Sequence, residues 1–252
     1  MELIYKIPSF EYMINSILEI ETENMDDFFK GNLFYFYPSI DKELFYKLEG
    51  NARIEFLTSS LRDIYIKEQD TFKQKINSYN NYWQENKEII IEAFQDAFQI
   101  NLQNELNDMV SYINLNPVCP RYLHNNTFDL FYFNSERGAL GISLHEIIHF
   151  MWFKIWQDYF HDDMADYELP HLKWVFSEMI PELVMRDERL RTRNPYFDGH
   201  CVYEYFYDIK IDEKPILDIL FEMYSTLPLH EFMVKGYEFC RDHEEYIRSH
   251  MH

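Results

Sequence analysis

Two histidines four residues apart, with a glutamate beside the first, stand at His145-Glu146-Ile147-Ile148-His149. The stretch from Leu144 to Trp156 is apolar and reads as one helix, which places both imidazoles on the same helical face. Imidazoles so placed can hold one zinc ion through their ring nitrogens. Zinc lowers the pKa of a water bound to it towards ~7, and a carboxylate within reach can take the proton. Glu146, one step round the helix, is the candidate general base. The intervening Ile147 and Ile148 and the following Phe150, Met151 and Phe153 predict a buried helix. Two histidines and an acid in such a helix cost free energy unless they are paired or bound to something.

A catalytic zinc needs a third protein ligand and a position left for water. Downstream candidates are Asp158, His161, Asp162, Asp163, Asp166, Glu168, His171, Glu178 and Glu182. Glu178 is chosen because Trp174-Val175-Phe176-Ser177 and Met179-Ile180 flank it with mostly apolar neighbours, where an unpaired acid is expensive to bury. Asp162, Asp163 and Asp166 read as a solvated loop. Twenty-eight residues lie between His149 and Glu178, enough for a second helix to return antiparallel across the first. Glu182, four residues on, shares the face of Glu178 and is a candidate to accept a hydrogen bond from a liganding histidine and fix its tautomer. Pro181 between them is expected to kink the helix or start a new one.

The elements that must carry these residues follow from patterning. Pro8-Ser9 before Phe10, Met13, Ile14 and Ile17 reads as a capped amphipathic helix. Asn32 to Tyr37 reads as a loop or short strand, and Asp41 to Leu48 as a helix ending near Gly50. No Gly or Pro occurs from Ile54 to Ile113, and apolar residues recur there at helical spacing up to Met109 and Ile113. Two long helices are expected, breaking between Asn77 and Asn86. Thr127 to Phe133 is the best strand, and Gly138 and Gly141 mark a loop leading into the HExxH helix. That helix should run to about Phe160, with a loop over His161 to Leu169. Another helix is expected over His171 to Arg193, and Tyr203 to Ile209 is ambiguous. Ile216 to Leu227 and His230 to His250 read as closing helices.

Only 6 glycines in 252 residues favour long helices over hairpins. The expected class is mainly α with a small β-sheet (α+β). A single domain is expected, with a helical part over about 1–120 and the catalytic core over about 121–252. The net charge of −21 argues against nucleic acid, whose binding depends on neutralising phosphates, and against an anionic membrane surface. No ~20-residue apolar run is long enough to span a membrane, and no signal peptide is apparent at the N-terminus. Cys119, Cys201 and Cys240, odd in number and widely spaced, fit a reducing cytoplasm better than a disulfide framework.

HExxH followed by a Glu on a second helix resembles the gluzincin metallopeptidases, the group of thermolysin and the oligopeptidases. The longer HExxHxxGxxH pattern of metzincins is absent, since Trp152 and Ile155 stand where Gly and His are needed. The resemblance covers about Thr127 to Tyr207 and is specific at the HExxH. It implies a zincin-like core in which an edge strand precedes the HExxH helix and lines the cleft. By it His145, His149 and Glu178 are the ligands of one Zn2+, Glu146 is the base and Glu182 supports the site. Gly199-His200-Cys201-Val202-Tyr203-Glu204-Tyr205 is a loose echo of the Gly-Tyr-x-x-x-Tyr-Tyr segment of the thimet-oligopeptidase and oligoendopeptidase family. It makes His200, Tyr203 and Tyr205 candidates for stabilising the substrate oxyanion. The expected activity is zinc-dependent hydrolysis of a peptide or protein substrate. The alternative is a zincin-like binding or regulatory module with little hydrolysis, against which an intact Glu146 argues. A helical structural protein with a chance HExxH is the third reading.

Overall fold

A computed structural model describes residues 1–22, 29–101, 106–197 and 201–251. The protein is mainly helical with a small mixed sheet, as the patterning predicts. It divides into two compact units, 1–85 with 104–139 and 86–103 with 140–252.

The first unit opens with β1 (Leu3–Lys6) and α1 (Phe10–Thr22), continues through α2 (Asn32–Phe36), α3 (Lys42–Lys47), α4 (Gly50–Lys67) and the start of α5 (Gln69–Phe98), and resumes with β2 (Met109–Asn114), β3 (Arg121–Tyr122) and β4 (Thr127–Phe131). The sheet order is β1-β2-β4-β3, with β1, β2 and β4 parallel and β3 antiparallel to β4. The strand that precedes the HExxH helix is therefore not an edge strand, as expected, but lies between β2 and β3. Its neighbours leave little backbone for an added peptide: Asp129 N–H also donates to the Pro120 carbonyl at 2.9 Å.

Three sequence expectations change here. Asn32 to Phe36 is a helix, because the buried Glu21 carboxylate accepts from the backbone N–H groups of Gly31 and Leu33 and so caps it from ten or more residues upstream. The break between the two long helices falls at Glu68, not within Asn77 to Asn86, so that α5 runs uninterrupted through that stretch. Met109 and Ile113 belong to a strand. Their spacing of four suits both periods, and the buried Ser111 between them hides the alternation.

A buried polar cluster joins α1 to this sheet. Asp129 on β4 accepts from Tyr12 Oη at 3.0 Å, Ser16 Oγ at 2.6 Å and Asn114 Nδ2 at 2.7 Å. Asn116 in turn donates to the Ser16 carbonyl and hydroxyl. Burial pushes the Asp129 carboxyl up to about 6, and the three hydrogen bonds oppose that shift.

The second unit is built on α6 (Glu136–Phe160), which begins in the first unit, and on α7 (Leu172–Met185). It continues with α8 (Glu188–Arg191), α9 (Tyr205–Asp208), the small hairpin β5 (Lys210–Ile211) and β6 (Lys214–Pro215), α10 (Ile216–Thr226), α11 (Leu229–Asp242) and α12 (Glu244–Arg248). Gly138 and Gly141 lie inside α6 rather than in a loop. Ser135 Oγ accepts from Gly138 N–H at 3.0 Å and caps the helix. Gly141 is required by packing: a Cβ there would stand 2.6 Å from Asn194 Oδ1 and 2.9 Å from Pro195 Cδ. Every residue of α7 except Lys173 is buried, so this helix forms the centre of the unit. Phe176 of α7 meets Trp152 of α6 and Phe232 of α11 edge-on or tilted, with ring centroids 5.3 Å and 5.8 Å away. Among the described residues no helix is long and apolar enough to cross a membrane.

Candidate metal centre

On α6 the residues His145, His149, Trp152 and Trp156 form one stripe by their spacing. The tryptophans pack into the aromatic core around Phe176. The histidines, further towards the helix N-terminus, meet Glu178 of α7. His145 Nε2 and His149 Nε2 are 3.0 Å apart. Glu178 Oε2 lies 3.8 Å from the first and 3.4 Å from the second. Ligand atoms ~2.0–2.1 Å from a tetrahedral ion stand about 3.3 Å from one another, and the three separations bracket that value. Two imidazole nitrogens and one carboxylate oxygen are also a donor set that zinc accepts.

The side chains of His149 and Glu178 are 0% and 3% exposed, whereas that of His145 is 21% exposed. The cluster is thus closed on the α7 side and open beside His145. A structural zinc site is closed by four protein ligands, while a catalytic one keeps a position for water or substrate. Here three groups converge, and one flank is left open.

Pro181 does not start a new helix, since α7 runs unbroken from Leu172 to Met185 with the proline inside it. Glu178 and Glu182 therefore stay one turn apart on one face. Glu182 does not reach a histidine directly. Its Oε2 accepts from Cys201 Sγ at 3.0 Å and from Tyr207 Oη at 2.8 Å, and Arg186 Nε stands 3.4 Å from Oε1. The histidine contact is made instead by the Cys201 backbone, whose carbonyl oxygen is 3.0 Å from His145 Nδ1. A carbonyl only accepts, so Nδ1 carries the hydrogen, and in the neutral ring Nε2 is then the nitrogen that offers a lone pair to the cluster.

Glu146 is buried on α6, next to His145. Tyr203 and Tyr205 stack face to face with centroids 5.3 Å apart, and Tyr203 packs on Trp174, one turn before Glu178. His200 lies outside the described residues. Asp162 and Asp166, read as a solvated loop, both bind Lys173 Nζ at 2.7 Å, and Asp162 also accepts from Trp156 Nε1. Among the described residues, His145, His149 and Glu178 are the group of possible ligands that converges on one point. The residue that sequence reasoning missed is Cys201. It acts here through its backbone, and no side-chain pattern announces a carbonyl.

Comparison with protein-family models, with curated proteins and with solved structures finds no match to this chain.

Proposed function

We propose that this chain is a zinc-dependent metallopeptidase. The observation that carries the reading is the convergence of His145 Nε2, His149 Nε2 and Glu178 Oε2 at tetrahedral spacing, with both histidines on the helix that also bears Glu146. Zinc, when bound, supplies a Lewis acid that polarises a carbonyl and makes water acidic near neutrality. The residues of the chain do the rest. His145 and His149 offer lone pairs from a single helical stripe, and Glu178 brings negative charge from a second helix. Glu146 takes a proton from the attacking water and passes it to the leaving amine. Tyr203 and Tyr205 are candidates for donating a hydrogen bond to the developing oxyanion. The substrate class is a peptide or a protein segment.

Two measurements test this. Protein purified without added metal should carry about one zinc per chain, lost on chelation and regained on titration. Glu146→Gln should keep that zinc and lower cleavage of a peptide library by ~10²–10⁴-fold, the usual size of a general-base contribution. A chain that neither carries nor takes up zinc overturns the proposal. Zinc binding with no Glu146-dependent cleavage replaces it with the role of a metal-binding or regulatory module.

A further inference from the structure

The two acids of α7 differ in what they hold. Glu178 points at the imidazole nitrogens, while Glu182 holds the segment that orients the first imidazole. The contacts run in series. Tyr207 Oη and Cys201 Sγ both donate to Glu182 Oε2, and the Cys201 carbonyl then receives Nδ1–H of His145. Arg186 flanks the other Glu182 oxygen and is itself held by Asp218 at 2.9 Å. Cys201 is buried, as is Glu182.

We infer that Glu182 and Cys201 are positioning residues, which set the tautomer and aim of His145 through the Cys201 carbonyl. This rests on the metal-site reading of His145, His149 and Glu178. A carbonyl on a flexible segment would hold an imidazole poorly. Here the thiol of the same residue is fastened to a carboxylate on a helix buried on nearly all sides, so the carbonyl inherits the rigidity of α7. The helix that supplies the third ligand thereby also aligns the first, and one rigid element sets two of the three corners.

The test compares removal with conservative replacement. Cys201→Ala and Glu182→Ala delete the series contact, whereas Cys201→Ser keeps a donor and Glu182→Gln keeps an acceptor oxygen. Zinc affinity is read by competition with a chromophoric chelator, and the His145 tautomer by ring ¹⁵N signals of the metal-free protein. The alanine variants should bind zinc ~10–100-fold more weakly, the usual effect of losing a partner that orients a ligand. They should also lose the Nδ1–H signature of His145, while the serine and glutamine variants stay near wild type on both readouts. Folded alanine variants with unchanged affinity and an unchanged His145 signal overturn the inference. Cys201→Ala removes a single sulfur atom, so it carries the test if Glu182→Ala does not fold. A wild-type chain without zinc affinity sinks the metallopeptidase reading instead, and the tautomer comparison in the metal-free protein still decides the positioning role.

Discussion

Each unit buries a polar cluster, and the two clusters are built on opposite chemistry. In the first unit one acceptor group, the Asp129 carboxylate, is met by three donors from Tyr12, Ser16 and Asn114. Its charge is answered from within the protein. In the second unit His145 Nε2, His149 Nε2 and Glu178 Oε2 crowd together, and the first of these offers a lone pair when its ring is neutral. Donors gathered around one acceptor make a finished structural joint, whereas acceptors gathered around a point ask for a cation. Burial of acids alone therefore does not distinguish a functional cluster from a supporting one. The identity of the facing atoms does.

The contrast is broken most directly at Glu178. Glu178→Ala should weaken zinc binding by more than the ~10–100-fold expected for a residue that only orients a ligand, since it removes one of the three proposed ligands outright. Chelator competition reads this, and an affinity within tenfold of wild type would remove Glu178 from the ligand set.

Asp129→Ala should leave zinc affinity unchanged and cost about 2–3 kcal/mol of stability, because buried donors lose their shared acceptor. The same variant carries a pH signature. The Asp129 carboxyl is raised to about 6 by burial, above its unfolded range. The folded state thus binds that proton more tightly, and the stability it contributes is fully present below about pH 4 and lost as pH rises through 6. Denaturation curves between pH 4 and 7 should show the wild type falling relative to Asp129→Ala as pH rises. Parallel curves would contradict the burial of an ionisable group there.

The smallest effect is expected at Gly141, one turn before His145. Gly141→Ala forces Cβ against Asn194 Oδ1 and Pro195 Cδ and should cost about 1–2 kcal/mol. Zinc affinity should hold. Loss of affinity comparable to Glu178→Ala would mean that the seating of α6 against Asn194 and Pro195 itself aims the imidazoles.

Parts of both units were legible in the chain. His145, Glu146 and His149 are readable because their relation is internal to one helix, and helical periodicity alone sets it. Glu178 is readable because an acid among Trp174, Val175, Phe176, Met179 and Ile180 has few inexpensive fates. The ends of α1 and α3 are readable because Ser9 and Asp41 cap them locally, at 3.1 Å and 2.9 Å. What could not be read depends on partners distant in sequence. Helix α2 forms under a cap from Glu21, the bend at Glu68 has no Gly or Pro to mark it, and β2 conceals its alternation behind Ser111. The Asp129 cluster joins residues up to 117 apart. At the candidate site the same limit applies to Cys201, since every residue type offers a carbonyl.

Helix α7 has almost no outside. Of its side chains only that of Lys173 escapes burial in the unit, and that one is tethered by Asp162 and Asp166. In evolutionary terms the segment has nearly no room to drift. A substitution at almost any of its positions changes a packed interior, and two of them also change a carboxylate of the candidate site. A saturation-mutagenesis map of this protein would therefore show α7 as a block of intolerance, most tolerant at Lys173. Exposed turns elsewhere would accept most residues.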